Sequence, residues 1–264
     1  MSINERKSIS ALSDRRAEII IPGALILQAA IKMLEIKELT ISERALREGL
    51  VVDWMLREGM LKSEFNIQSN IRKTTVIHKA DKLGVNKYRS ENVASIAIQI
   101  YDQTKDILHN DFHQKGKQLL WAAAILYTSG KYINLSGYHK HSWYLIKNCE
   151  LLGYSQVETN IIASIARYHR KTLPKKRHES WLSLTSKEDK AIVIDMSLIL
   201  RLAASLDKRP EPVISLVNVS LLNDNLTFRL KANNSNKDLS LEKWSLKSCS
   251  NVLKELKNLE LKVD

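Results

Sequence analysis

Leu119-Leu120-Trp121-Ala122-Ala123-Ala124-Ile125-Leu126, continuing into Tyr127-Thr128-Ser129-Gly130, is the stretch that sets the architecture. A run that is apolar on every side cannot lie on a surface, so it predicts a helix enclosed by others. The helical period persists in both directions from it. Upstream, Val93, Ala97, Ile100, Tyr101 and Leu108 mark one apolar helix face. Downstream, Glu158 to Tyr168 repeats the pattern through Ile161, Ile162 and Ile165, Pro174 stops the chain, and Lys190 to Leu206 supplies another core helix. Residues from about 66 to 208 therefore predict a helical bundle around the central run.

The two flanks differ in character. Ile19-Ile20-Ile21, Pro22-Gly23 and Ala24 to Ile31 predict a buried strand, a tight turn and a helix. Leu39-Thr40-Ile41 predicts a short strand, and Ser42 a cap for a helix through Leu46, Leu50 and Trp54. At the other end, Val213 to Leu222 and Leu226 to Leu230 flank Asn223-Asp224-Asn225 and predict a hairpin, with a last helix over Trp244 to Leu259.

Composition narrows the function classes. In 264 residues, 41 Lys and Arg stand against 29 Asp and Glu, a net charge of +12 that favours anionic partners such as nucleic acid, anionic lipid or a polyphosphate. Cys149 and Cys249 lie far apart and suit reduced thiols. Met1 to Ser13 has no apolar h-region. Ala191 to Leu206, the most apolar segment, carries Asp195 and Arg201 and predicts a buried helix rather than a membrane span. A cytoplasmic protein is expected. No P-loop, G-x-S-x-G or Gly-Gly pair is present.

Two clusters carry the candidate chemistry: Gly137-Tyr138-His139-Lys140-His141-Ser142 and Arg167-Tyr168-His169-Arg170-Lys171. A metal-dependent phosphohydrolase of the HD type needs an adjacent His-Asp pair where the central helix ends. Tyr127 and Thr128 stand there instead, and an isolated His141 or Asp207 does not make a site. The second cluster has another property. Arg167, Arg170 and Lys171 fall at i, i+3 and i+4, which predicts one shared helix face, and Lys175, Lys176 and Arg177 follow without an intervening carboxylate. Uncompensated cations of this kind suit phosphate oxygens better than they suit a solvated face.

Arg16-Ala17-Glu18-Ile19-Ile20-Ile21-Pro22-Gly23-Ala24, Ala45-Leu46-Arg47-Glu48-Gly49-Leu50 and the two basic clusters occur in an order that resembles the exopolyphosphatase and guanosine pentaphosphate phosphatase (Ppx/GppA) family. The resemblance covers nearly the whole chain from about Asp14 and implies the second half of a full-length member. Such members carry two actin-like domains, an HD-like helical domain and a small C-terminal domain. Glycine-rich phosphate loops, a glutamate base and a divalent cation, Mg²⁺, belong to the actin-like half of such members, and the resemblance implies no counterpart of the loops or the glutamate in this sequence.

The implied fold is mainly α: an HD-like helical domain over 61–210, preceded over 1–60 by a strand-helix remnant of an actin-like α/β domain and followed over 211–264 by a small α+β domain. The implied polyphosphate channel is lined by His139, Lys140, His141, Arg167, His169, Arg170 and Lys171, with no catalytic residue, metal or cofactor held by the chain itself. Arg89 sits where an HD domain would place its first His. Expected partners are polyphosphate or another polyanion and an N-terminal catalytic half docked through residues 16–56, or a second copy, with no membrane. The alternatives are a stand-alone HD-type phosphohydrolase and a basic nucleic-acid binder.

Overall fold

The computed structural model describes all residues except 1, 11, 40–45, 58–66, 111–112 and 235–236. The chain divides into two compact units, Met1–Met60 and Leu61–Asp264. The first holds helices α1 (Ile3–Lys7), α2 (Asp14–Met33) and α3 (Leu46–Arg57). The expected strand at Ile19–Ile21 and the Pro22-Gly23 turn are both corrected, because they lie inside α2. The reason is hydrogen bonding. A strand needs a neighbour to pair its N–H and C=O groups, and this unit contains none among the described residues, whereas a helix satisfies them internally. Pro22 costs that ladder one donor, and the helix continues past it. The strand expected at 39–41 and the Ser42 cap lie outside the described residues.

The second unit is the predicted bundle. Helices α4 (Ile67–Lys82), α5 (Lys87–Gln103), α6 (His113–Leu126), α7 (Tyr138–Lys147), α8 (Gln156–Tyr168), the short α9 (Glu179–Leu182) and α10 (Lys187–Ser205) share one core. Helix α6 is central: Leu119, Leu120, Ala122, Ala123, Ala124, Ile125 and Leu126 are all buried. Capping sets the starts. Asn86 caps α5, Ser186 caps α10, and Ser155 with Glu158 forms a capping box on α8. Helix α5 ends at Thr104, not at Leu108, because the Thr104 hydroxyl bonds the Ile100 carbonyl and the His109 ring bonds that of Tyr101. Leu108 is nonetheless fully buried, from the following turn.

The hairpin is present as β1 (Ile214–Leu222) and β2 (Asn225–Ala232), turning at Asn223 and Asp224, both with positive φ. The single C-terminal helix is corrected to α11 (Ser240–Lys247), α12 (Ser250–Lys257) and a third strand, β3 (Glu260–Val263), parallel to β2. Asn258, in the left-handed region, ends α12. The free edge of β1 is covered by α5: Gln99 accepts from the Val217 amide, and Gln103 bonds the Val217 carbonyl and the Val219 amide. Lys257 pairs with Asp195 at 2.8 Å and Arg209 with the fully buried Glu242 at 2.8 Å, tying α12 to α10 and fixing α11.

Two glycine and serine contacts lock α7 against the end of α6. The Gly130 amide donates to Ser142 Oγ at 2.9 Å, and that hydroxyl donates to the Tyr127 carbonyl at 2.7 Å. A Cβ on Gly130 would fall onto the Tyr138 carbonyl oxygen and the Ser142 amide nitrogen, both backbone atoms. Gly130→Ala should therefore destabilise the second unit by at least the upper end of about 1–3 kcal/mol for overpacking. Leu120→Ala should cost about 2–5 kcal/mol through a core cavity. Urea unfolding of the full chain followed by tryptophan fluorescence measures both.

Candidate anion site

The α6–α7 lock places Tyr127, the short 3₁₀ turn Ser129–Tyr132 and the start of α7 on one wall of a cavity of about 550 Å³. The start of α5 supplies Arg89, the end of α8 supplies His169, Arg170 and Lys171, and the end of α10 supplies Arg201, Asp207 and Lys208. Ser245, Ser248 and Cys249, around the α11–α12 junction, close the far side. Six basic side chains thus line the cavity with one carboxylate.

That carboxylate is already neutralised. Asp207, buried just past α10, takes Arg89 Nε at 3.0 Å and Nη2 at 2.8 Å, and its carbonyl takes the same Nη2 at 3.2 Å. The hydrogen bond to Asp207 raises the Arg89 pKa. Tyr127 Oη reaches the carboxylate at 3.5 Å, and burial first, then Asp207, pushes its pKa up, so it remains a neutral phenol. A guanidinium therefore occupies the polar centre of the cavity. Among the described residues no group of three or more His, Cys, Asp and Glu is placed to hold a metal ion. The donor set does not fit a divalent metal, because a guanidinium offers hydrogens rather than lone pairs.

His169 is a fixed, neutral element of the wall. Its Nδ1 lies 2.6 Å from the Ala166 carbonyl, which can only accept, so Nδ1 carries the proton and Nε2 accepts from Tyr138 Oη at 3.1 Å. Burial pushes its pKa down to about 3. Tyr138 itself, its pKa raised by burial, faces two cations: Arg170 at 4.8 Å and Lys131 at 5.3 Å from the ring centre. Burial first, and then Arg89, lowers the pKa of Lys131.

The shared helix face expected for Arg167, Arg170 and Lys171 is corrected. Helix α8 stops at Tyr168, and Lys171 has φ 59°, so the chain turns away before both later cations. Arg201 causes the departure to hold, because its Nη2 donates to the Tyr168 and Lys171 carbonyls at 3.0 Å each. Arg170 and Lys171 consequently line the cavity. Arg167 stays on the helix with its guanidinium over Trp143 and Tyr168.

Of the seven predicted residues, His169, Arg170 and Lys171 line the cavity, and Lys140, His141 and Arg167 do not. His139 is 5% exposed and does not line the cavity, and burial first, then Arg170, Arg167, Lys171 and Lys140, pushes its pKa down to about 4. Lys131, Arg201 and Lys208 were not legible as site residues. Each is an isolated basic residue in its own segment, and only folding gathers them. Arg89→Met should strand Asp207 and cost about 2–3 kcal/mol, below the value for a fully buried pair because the Arg89 side chain is 30% exposed. Part of the loss should return in the Arg89→Met/Asp207→Asn double variant, read by urea unfolding.

Comparison with known proteins assigns both parts of the chain to one family. Residues 71–250 match the description "Ppx/GppA phosphatase, domain III", and residues 1–58 match "Ppx/GppA phosphatase family". The chain is 33% identical over 167 residues to a protein of Pseudoalteromonas translucida named guanosine-5'-triphosphate,3'-diphosphate pyrophosphatase, covering 63% of this chain and 32% of that one. It is 30% identical over 232 residues to the protein of that name from Vibrio parahaemolyticus, covering 86% of this chain and 43% of the relative. The chain thus spans less than half the length of these relatives.

Proposed function

The chain belongs to the Ppx/GppA phosphatase family, and from that premise we propose that it is the polyanion-holding part of an exopolyphosphatase-type enzyme. Polyphosphate lies along the basic cavity, and phosphoanhydride hydrolysis is done by an actin-like catalytic half that acts as partner. The observation that carries this reading is the cavity's charge. Arg89, Lys131, Arg170, Lys171, Arg201 and Lys208 converge there, and the one carboxylate among them is consumed by Arg89. Such a site offers hydrogen-bond donors and positive charge in excess, which matches a row of phosphates. Among the described residues no group of three or more His, Cys, Asp and Glu is placed to hold a metal there, and both nitrogens of its His169 are already engaged.

Helix α2 supports the partner. Ile19, Leu25, Ile26 and Leu27 are each more than half exposed, an apolar surface that invites a covering chain. Among the described residues no helix is long and apolar enough to cross a membrane, so a lipid span does not account for it.

Equilibrium binding of long-chain polyphosphate to the full chain tests the proposal. Affinity should fall steeply with added salt. Arg170→Ala and Lys171→Ala should each weaken it by about tenfold, in line with about 1.5–3 kcal/mol for a hydrogen bond to a charged group. The chain alone with Mg²⁺ should release no phosphate. Unchanged affinity in both variants would return these residues to the role of solvated surface charges.

A further inference from the structure

Tyr138, at the start of α7, touches three other members of the cavity wall. Its Oη donates to His169 Nε2 at 3.1 Å, and its ring centre lies 4.8 Å from the Arg170 guanidinium and 5.3 Å from the Lys131 ammonium. Both cations line the cavity, and its one carboxylate, Asp207, is taken by Arg89, so neither has an anion there to hold it. Arg201 fixes the main chain on either side of Arg170, and Lys131 belongs to the 3₁₀ turn tied down through Gly130 and Ser142. Those contacts place two backbones and leave two long side chains to the ring. The ring in turn is held by a relay. The Ala166 carbonyl accepts from His169 Nδ1 at 2.6 Å, Nε2 accepts from the phenol, and Tyr127 packs edge-on against the imidazole with centres 5.0 Å apart at 85°. The relay needs a neutral imidazole, because an imidazolium has no lone pair to offer the phenol.

We propose that Tyr138 is a positioning residue of the anion site: its ring holds Arg170 and Lys131 as a pair, set for one phosphate chain to meet both. This deepens the polyanion reading and rests on it. Two charges at 4.8 Å and 5.3 Å from one ring centre stand no more than about 10 Å apart. Left to themselves, two such cations repel, and their flexible stems sample many rotamers. The electron-rich face of the ring attracts each of them, which offsets the repulsion and narrows the rotamers before a ligand arrives. Side chains ordered in advance cost less to immobilise on binding.

The consequence is a preference for extended anions. A single phosphate gains little from how two separate cations are set, whereas a chain of phosphates reaches from one to the other. Tyr138 acts on this preference through Arg170 and Lys131, since its own hydroxyl proton is committed to His169. The part that matters for the cations is therefore the aromatic face, and the hydroxyl serves to keep that face in place.

Equilibrium binding of long-chain polyphosphate to the full chain tests the inference, with inorganic phosphate as the short probe. Tyr138→Leu should weaken long-chain binding by about tenfold and change inorganic phosphate binding by less than about twofold. Tyr138→Phe keeps the aromatic face and should stay within about threefold of the unmodified chain. In an Arg170→Ala background the effect of Tyr138→Leu should shrink to about threefold, and in a Lys171→Ala background it should remain about tenfold, because coupling follows contact. Nuclear magnetic resonance of the unmodified chain keeps the test decisive if Tyr138→Leu fails to fold. The Arg170 side-chain protons, identified by their loss in Arg170→Ala, should lie upfield under the ring and stay there when polyphosphate is added. Tyr138→Phe falling as far as Tyr138→Leu, equal effects in the two alanine backgrounds, or unshifted Arg170 protons overturns the inference and leaves the polyanion reading standing. An absence of polyphosphate binding by the unmodified chain overturns both.

Discussion

The approach of α7 to the end of α6 is the constraint on which the site depends. Gly130 has no side chain because backbone atoms of Tyr138 and Ser142 occupy the space, and Ser142 then bonds both Gly130 and the Tyr127 carbonyl. These contacts set two helix termini against each other with little freedom. Tyr127, Lys131, Tyr138 and His139 take their places from that crossing, as does the partner that Tyr138 offers to His169. A looser crossing would leave the same residues on the same helices without a cavity between them.

Charge balance explains why the cavity keeps its character. Asp207 at the end of a core helix would, alone, be a costly buried anion and an obstacle to any anionic ligand. Arg89 resolves both at once by pairing with it and bringing further donors to the same wall. The paired guanidinium leaves this centre close to neutral, so the cavity's excess positive charge comes from Lys131, Arg170, Lys171, Arg201 and Lys208. Arg201 performs the complementary task at the end of α8. By bonding two terminal carbonyls it ends the helix and turns Arg170 and Lys171 into the cavity.

The small C-terminal region is part of this arrangement. It shares the core of the bundle through Val217, Leu226, Phe228, Leu246 and Leu253. Its α11–α12 junction lines the same cavity as Tyr127. The glutamines of α5 cover the edge of β1, so the sheet is held by side-chain bonds where a further strand would otherwise pair.

The sequence by itself determined the mainly α bundle, its central helix and the hairpin. Each of these follows from a local pattern: apolar on all sides for Leu119–Leu126, one apolar face for α8, and β-rich runs flanking Asn223-Asp224-Asn225 for the strands. It also determined the family, from short motifs in order. Tertiary structure alone decided the rest. Ile19–Ile21 reads equally as strand or helix over so few residues, and the absence of a pairing neighbour within the described unit decides for the helix. The parallel strand β3 is four residues long and has no period of its own; pairing with β2 creates it. Arg89, Lys131, Arg201 and Lys208 are single cations separated by tens of residues, with no spacing rule to link them. Their convergence is a property of helix packing, because an anion site of this kind is defined by distances across space and not along the chain.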